Sequence, residues 1–142
     1  MTEPAEHKVS SLLVLTVVTP GKRHILATAL MRYWMSDPFA VSMEFSDGAS
    51  PSVTWYLSRD LLTAGLATPS GEGDVKIRPF VGEAGIFHMT LSSADGEVQL
   101  WVPRPETAVF LRKTYDMVPY GQESSFMDLD LEIEKLLGGG GK

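Results

Sequence analysis

The sequence contains no cysteine. This absence excludes disulfide bonds, thiolate nucleophiles and zinc sites built on cysteine. The sequence also lacks an apolar run of about 18 residues, the length that a transmembrane helix needs, so we expect no membrane span. Residues 1–6 are acidic and polar, whereas an export signal begins basic and then becomes apolar. These absences together predict a cytoplasmic protein.

The chain has few residues that could carry catalysis or bind a metal. Its three histidines, His7, His24 and His88, are scattered without the spacing of metal ligands. A triad can be written from Ser92, His88 and Asp95, but no nucleophile-elbow sequence accompanies it. Because triads are recognised by geometry, a hydrolase stays as the lowest-ranked alternative. We therefore expect no enzyme, no metal and no cofactor.

Basic residues are outnumbered in this chain. The 12 Lys and Arg residues against 18 Asp and Glu residues give a formal net charge of −6. An acidic surface repels phosphate groups at long range, so binding to nucleic acid would need a local basic patch. Lys76 and Arg78, close to Phe80, form a modest candidate for such a patch. We do not expect nucleic acid as the partner, and we keep a single-stranded nucleic-acid-binding module as the alternative function.

Seven segments carry the patterns of β-strands. Residues 12–18 are almost continuously apolar, which predicts a strand buried on both faces or covered on its second face by a partner. Residues 25–34 contain helix-favouring side chains, but their length and flanks suit a strand, and we predict a strand. Pro79 cannot donate a ladder hydrogen bond, so its strand is expected at a sheet edge or at a bulge. The predicted strands cover residues 12–18, 25–34, 41–46, 53–57, 75–81, 86–91 and 98–102.

The period of the apolar residues changes after Pro105. Ala108, Leu111 and Tyr115 recur at helical spacing, and residues 118–121 end this helix. A second helical stripe follows, made of Phe126, Leu129, Ile133, Leu136 and Leu137. Strands followed by helices predict an α+β domain with an antiparallel sheet, spanning residues 1–137 and followed by a flexible Gly-rich tail at 138–142.

A short helix is predicted at the middle of the chain. Ser58 is a good N-cap, and Asp60 lies in the first turn, where the helix dipole favours an anion. Gly65 can adopt the left-handed conformation that ends the helix. Arg59 and Asp60 form either a recognition pair for a partner or a capping and surface pair, and the sequence does not decide between these.

The turn that follows this helix holds Gly71 and Gly73 together with two acids. A phosphate-binding loop needs a strand before it, a helix after it and usually a lysine, and here the order is reversed. We therefore predict a structural turn.

Three aromatic side chains mark a possible contact surface. Phe80 and Trp101 fall on the strand phase opposite the inward residues, and Trp34 lies in an apolar strand. Large exposed apolar patches mark interaction sites, but burial under helices of the same chain is the favoured explanation for this face. Both explanations remain open.

An ordered set of short motifs resembles the SsgA-like proteins of actinobacteria, which are regulators of sporulation and cell division. The resemblance spans about residues 10–137 without large gaps. The central motif is Arg59-Asp60-Leu61-Leu62, Gly65-Leu66 and Pro69-Ser70-Gly71-Glu72-Gly73-Asp74-Val75. The flanking motifs lie at residues 37–41, 91–93 with Gly96, 110–111 with Thr114, 118–121 and 128–132.

The resemblance implies a non-catalytic adaptor. Such members mark septation sites in the cytoplasm, help recruit the tubulin-like protein FtsZ and work with other SsgA-like proteins. Their fold is similar to that of the Whirly and mitochondrial RNA-binding proteins, a curved sheet of about seven strands with helices, and it assembles as a trimer. We therefore predict a homotrimer with Trp101 or Trp34 at or near a subunit contact. The candidate interaction or oligomer residues are Trp34, Arg59, Asp60, Phe80 and Trp101, and the structural glycines are Gly65, Gly71, Gly73 and Gly121.

Overall fold

The structure, a computed structural model, describes residues 7–80, 82–83 and 85–127. Within this part, two helices are complete, and residues 123–127 are also helical. The elements are β1 (Lys8–Val18), β2 (His24–Trp34), β3 (Ala40–Ser46), β4 (Val53–Ser58), α1 (Arg59–Gly65), β5 (Val75–Pro79), β6 (Ile86–Ser93), β7 (Gly96–Pro103) and α2 (Arg104–Met117).

All seven strands form one antiparallel sheet in the order β4-β3-β2-β1-β7-β6-β5. Strands β1 and β2 pair along their whole length, from Lys8 opposite Trp34 to Val18 opposite His24. This pairing confirms that residues 25–34 form a strand despite their helix-favouring side chains, because a partner strand of equal length satisfies every ladder position. Strand β5 lies at the edge of the sheet, where Pro79 was expected.

The hydrophobic core lies on one face of the sheet. Phe110 and Leu111 of α2 and Leu62 of α1 are buried together with the inward residues of the strands. The inward strand residues include Leu13, Leu15, Ala29, Met31, Tyr33, Val41, Met43, Leu57, Ile77, Phe87, Met89, Leu100 and Val102. The predicted α+β class with a curled seven-strand antiparallel sheet is confirmed.

Several predictions concern parts of the chain outside the described residues. The apolar stripe from Leu129 to Leu137 and the Gly-rich tail at 138–142 both lie there, as does Val81 at the end of the fifth predicted strand. Of the residues that are described, none belongs to a helix long and apolar enough to cross a membrane.

Candidate interaction surface

The sheet face away from the helices, called the outer face below, carries exposed apolar side chains on its central strands. Leu12 is 66% exposed, Val14 58% and Leu26 72%. Leu12 lies opposite Leu30 in the register of β1 and β2, so these side chains form one apolar area. Their neighbours Leu13 and Leu15 are buried on the other face. The apolar run at residues 12–18 is therefore a strand whose second face is not covered by the described part of the chain.

An aromatic cluster, the outer cluster, extends this area across β7 and β6. Trp101 lies opposite Thr16 of β1. The Trp101 ring stacks on His88 with a centroid distance of 5.7 Å and an interplanar angle of 5°, and it forms a T-shaped pair with His24 at a centroid distance of 4.9 Å. Phe80 contacts His88 at 4.3 Å. Trp101 and Phe80 therefore lie on the outer face, opposite the inward residues, as the sequence predicted.

His88, for which the sequence predicted neither a metal site nor a catalytic role, is a buried member of the outer cluster. Neither of its ring nitrogens has a hydrogen-bond partner among the described residues. Burial lowers the pKa of His88, and the nearby positive charge of Arg78 lowers it further. His88 is therefore a neutral, largely apolar packing surface for Trp101 near pH 7. The alternation of residues in β6 places His88 on the outward phase, as in β7 for Trp101, and this signal was available in the sequence.

Trp34 lies at the opposite end of the outer face from Trp101. It pairs with Lys8, whose ammonium group sits 4.9 Å from the centre of the indole. Lys8 lies eight positions along β1 from Thr16, the residue opposite Trp101, which corresponds to roughly 27 Å. The two tryptophans are therefore at different ends of the face, and one small contact would not bury both.

Arg59 is buried inside the chain, with only 1% of its surface exposed. Its guanidinium lies between two tyrosine rings, 3.9 Å from the centre of Tyr115 and 4.8 Å from the centre of Tyr33. A buried guanidinium fits neither alternative that the sequence left open for Arg59, a recognition pair with Asp60 for a partner or a capping and surface pair. Asp60 is exposed in the first turn of α1, as expected, and Ser58 accepts the cap hydrogen bond from the Leu61 amide at 3.1 Å.

The buried guanidinium joins α1 to the end of α2 and to the residues that follow it. Arg59 donates to the Thr114 carbonyl oxygen at 3.1 Å, to the Val118 carbonyl oxygen at 2.9 Å and to Glu123 Oε2 at 2.7 Å. We call this set the Arg59 anchor. The Thr114 carbonyl also accepts the Val118 amide at 2.9 Å, whereas the Val118 carbonyl lies at the C-cap, past the last helical residue of α2. The anchor therefore satisfies the end of α2 and fixes the segment from Val118 to Glu123.

The charge of Arg59 and burial both shift the pKa values of the ionisable groups around it. The hydrogen bond from Arg59 holds the pKa of the Glu123 carboxyl below its usual value. Burial raises the pKa of the Tyr33 phenol to about 12, although the charge of Arg59 opposes this. Tyr33 donates its proton to the Pro38 carbonyl oxygen at 2.9 Å. Glu123 thus stays ionised, and the neutral Tyr33 ring serves as a packing partner.

The four structural glycines have two different roles. Gly71 and Gly73 have φ of 96° and 81°, and Gly121 has φ of 85°, which is the left-handed region that favours glycine. Gly65 is helical instead, because α1 includes it and its φ is not among the positive ones. The expected left-handed helix end at Gly65 is therefore wrong. A Cβ at this position would lie 2.2 Å from Ile77 Cγ2, so glycine allows α1 to approach β5.

The structure does not assemble the triad that the sequence allows on paper. Ser92 Oγ donates to Glu97 at 3.2 Å, and the nitrogens of His88 have no partner among the described residues. Within the same residues, no group of three or more metal-ligating side chains comes together. The two notable features are therefore the uncovered apolar outer face and, on the opposite side of the sheet, the helices joined by the Arg59 anchor.

Comparisons with known proteins agree with this architecture. The family described as "Streptomyces sporulation and cell division protein, SsgA" matches residues 27–123. A relative from Frankia casuarinae, the sporulation-specific cell division protein SsgB, is 40% identical over 133 residues, which cover 93% of each chain. The SsgB of Streptomyces coelicolor is 38% identical over 130 residues, covering 91% of this chain and 95% of its own.

Solved structures show the same fold in such relatives. The crystal structure of an SsgA-like sporulation-specific cell division protein from Thermobifida fusca matches with a TM-score of 0.85 and 31% identity, covering 96% of this chain and 100% of that one. A structure from a study of SsgB in Streptomyces coelicolor matches with a TM-score of 0.78 and 36% identity, covering 84% and 94%. SsgB is also the subfamily that the sequence motifs resemble most. The chain therefore belongs to the SsgA-like family of sporulation and cell-division proteins.

Proposed function

We propose that this protein is a non-catalytic regulator that helps position or recruit the FtsZ ring during sporulation-specific septation. It acts in the cytoplasm at division septa, through contacts with FtsZ and with other SsgA-like proteins. Membership of a sporulation and cell-division family supports the process. The observation that carries a role through protein contacts is the apolar area formed by Leu12, Val14 and Leu26 on the outer face.

We further propose that copies of the chain cover the outer face in a homotrimer. An antiparallel sheet can face water on one side, but that side is then normally polar. Here the two central strands expose aliphatic side chains, and the half-buried Trp101 ring continues the apolar area. Burying such side chains at a subunit contact removes apolar surface from water, at about 25 cal/mol per Å².

Co-sedimentation with purified FtsZ tests the proposed function. The protein is expected to raise the fraction of FtsZ in the polymer pellet and to be pelleted with it. FtsZ alone and the protein alone are the controls. A result in which the pellet does not change and a pull-down captures no FtsZ would count against FtsZ recruitment.

A matched pair of variants connects this assay to the outer face. Val14 and Val53 are 58% and 55% exposed, and they lie on opposite phases of the sheet. Val14→Glu introduces a charge into the apolar area, whereas Val53→Glu makes the same change on the other side. We expect Val14→Glu to lose most of the effect on FtsZ and Val53→Glu to retain it.

One observation keeps a second candidate function, a single-stranded nucleic-acid-binding module. Lys76 and Arg78 lie on the outer phase of β5, and Arg78 is opposite His88 of the outer cluster. Stacking on bases needs free aromatic faces, however, and the Trp101 and Phe80 rings already pack on His88. An anisotropy titration with a labelled oligonucleotide separates the two functions, since salt-sensitive binding would favour the second.

A further inference from the structure

A cleft of about 490 Å³ lies on the helical side of the protein, away from the outer face. It lies between the exposed side of α1 and the end of α2, and it opens to solvent. Its lining residues are Asp60, Thr63, Ala64, Tyr115 and Tyr120. This volume falls within the range of ordinary small-ligand sites. The cleft thus has the size for a single side chain of a partner protein with room to spare.

Two tyrosine rings form the walls of the cleft. The centres of Tyr115 and Tyr120 are 6.4 Å apart, with an interplanar angle of 55°. Thr63 Oγ1 donates its one proton to the Arg59 carbonyl oxygen at 3.0 Å, so in the 2.7 Å contact between Thr63 and Tyr115 the tyrosine must be the donor. The Tyr115 ring is therefore held in a fixed orientation.

The Arg59 anchor positions the second ring. Arg59 binds the Val118 carbonyl and the Glu123 carboxylate, which lie on either side of Tyr120 in the sequence. Gly121 has φ of 85° and turns the chain between them. Tyr120 itself is 74% exposed, so its ring faces outward from an anchored turn. Tyr120 therefore contributes little to the core, and the Arg59 anchor holds it in place for contact with a ligand or partner.

The charges at the cleft favour a cation. No basic side chain lines it, and Asp60 has no ion-pair partner within the described residues. Arg59 lies against the Tyr115 ring, but its charge is neutralised by Glu123 at 2.7 Å. Aromatic faces attract cations through the ring quadrupole, and a carboxylate at the rim adds a direct charge. Aromatic rings beside a carboxylate are the chemistry that recognises an ammonium or guanidinium group.

We infer that this cleft is a docking site for a lysine or arginine side chain of a partner protein. The cationic head lies between Tyr115 and Tyr120 and pairs with Asp60, while the aliphatic stem packs on Ala64. The site is separate from the outer face and does not depend on the proposed assembly or on FtsZ. It gives the protein a second contact surface, selective for basic segments.

A titration followed by ¹H–¹⁵N NMR tests this inference without a known partner. The probes are three blocked tripeptides: acetyl-Gly-Arg-Gly-amide, acetyl-Gly-Lys-Gly-amide and the neutral acetyl-Gly-norleucine-Gly-amide. We expect both basic peptides to shift the amide signals of residues 60–64, 115–118 and 120–121, and the neutral peptide to leave them in place. The ratio of the two basic affinities shows whether arginine or lysine is the preferred occupant.

Two variants with matched controls assign the effect to the cleft. Tyr120→Ala and Asp60→Asn are expected to weaken binding of the basic peptides about two- to fivefold, the range for an exposed cation–π contact. Tyr56→Ala alters a tyrosine of similar exposure, 71%, on the outer face, and Asp95→Asn removes one negative charge from a distant turn. Both controls should bind like the wild type. Equal shifts with the neutral peptide, unchanged affinity in both cleft variants, or no shifts at all would overturn the inference.

Discussion

Arg59→Leu is expected to lower the free energy of unfolding by about 3–5 kcal/mol, the range for removing one partner of a buried ion pair. The substitution leaves the buried Glu123 carboxylate without its cation. It also removes the guanidinium donor of the Val118 carbonyl and one of the two donors of the Thr114 carbonyl, which keeps the Val118 amide. Chemical denaturation of the wild type and the variant measures the loss. Since small domains are stable by about 5–15 kcal/mol, this loss is a substantial share of the free energy of unfolding.

The second ion pair of the described residues supplies the control. Arg32 and Glu44 lie 3.6 Å apart on the outer face and are partly exposed. Arg32→Leu removes an arginine in the same way, and we expect a loss of at most about 1 kcal/mol. A milder variant, Glu123→Gln, keeps an acceptor for Arg59 and should lose less than Arg59→Leu. Equal losses for Arg59→Leu and Arg32→Leu would contradict the Arg59 anchor.

Acidification separates the loss of charge from the loss of packing. The pKa of Glu123 is lowered in the folded state by the hydrogen bond from Arg59, so its contribution to stability is complete above the ordinary glutamate pKa. That contribution disappears as the pH falls through the lowered, folded value. The stability difference between the wild type and Arg59→Leu should therefore shrink in acid. A difference that is independent of pH would assign the effect to packing alone.

Gly65→Ala is expected to destabilise the protein, although alanine is the better helix former. Helix propensity alone would stabilise the variant by about 0.5–1 kcal/mol. The added Cβ, however, would lie 2.4 Å from Ile77 Cβ as well as 2.2 Å from Cγ2, and Ile77 is buried. A Cβ cannot move without its backbone, so α1 must shift away from β5. We expect a net loss of about 1–3 kcal/mol in the free energy of unfolding.

Gly21→Ala is the control for this prediction. The nearest atom to a Cβ at Gly21 is Thr19 Oγ1 at 3.9 Å, and Gly21 does not have a positive φ. Its effect should stay within about 0.5 kcal/mol, as for other surface changes. Stabilisation by Gly65→Ala would show that α1 and β5 are not in the close contact described above.

Local patterns predicted the sheet well because each strand of an antiparallel sheet has one buried phase. The alternation of Val41, Met43 and Phe45 identified β3, and the outward phase of Trp101 followed from its buried neighbours. The ambiguous residues of β2 were also assigned correctly. For β2, the length and flanks of the segment outweighed its helix propensity, as expected when a tertiary partner is present.

The Arg59 anchor could not be predicted in the same way. Arg59 and Glu123 are 64 residues apart, and an arginine beside an aspartate is normally a surface feature. The rings that enclose Arg59 come from β2 and α2, so its burial depends on how distant elements pack. Gly65 was misread for a related reason. A glycine near a helix end fits a left-handed cap, and the close approach of Ile77 is visible only in three dimensions.

The mass of the purified protein in solution tests most directly whether the outer face is an assembly surface. Light scattering at micromolar concentration is expected to give three times the protomer mass of 15.5 kDa. Val14→Glu should reduce this to the mass of one protomer, because the interface would have to desolvate a carboxylate, and Val53→Glu should remain a trimer. A wild-type protein that is a monomer under these conditions would contradict the account.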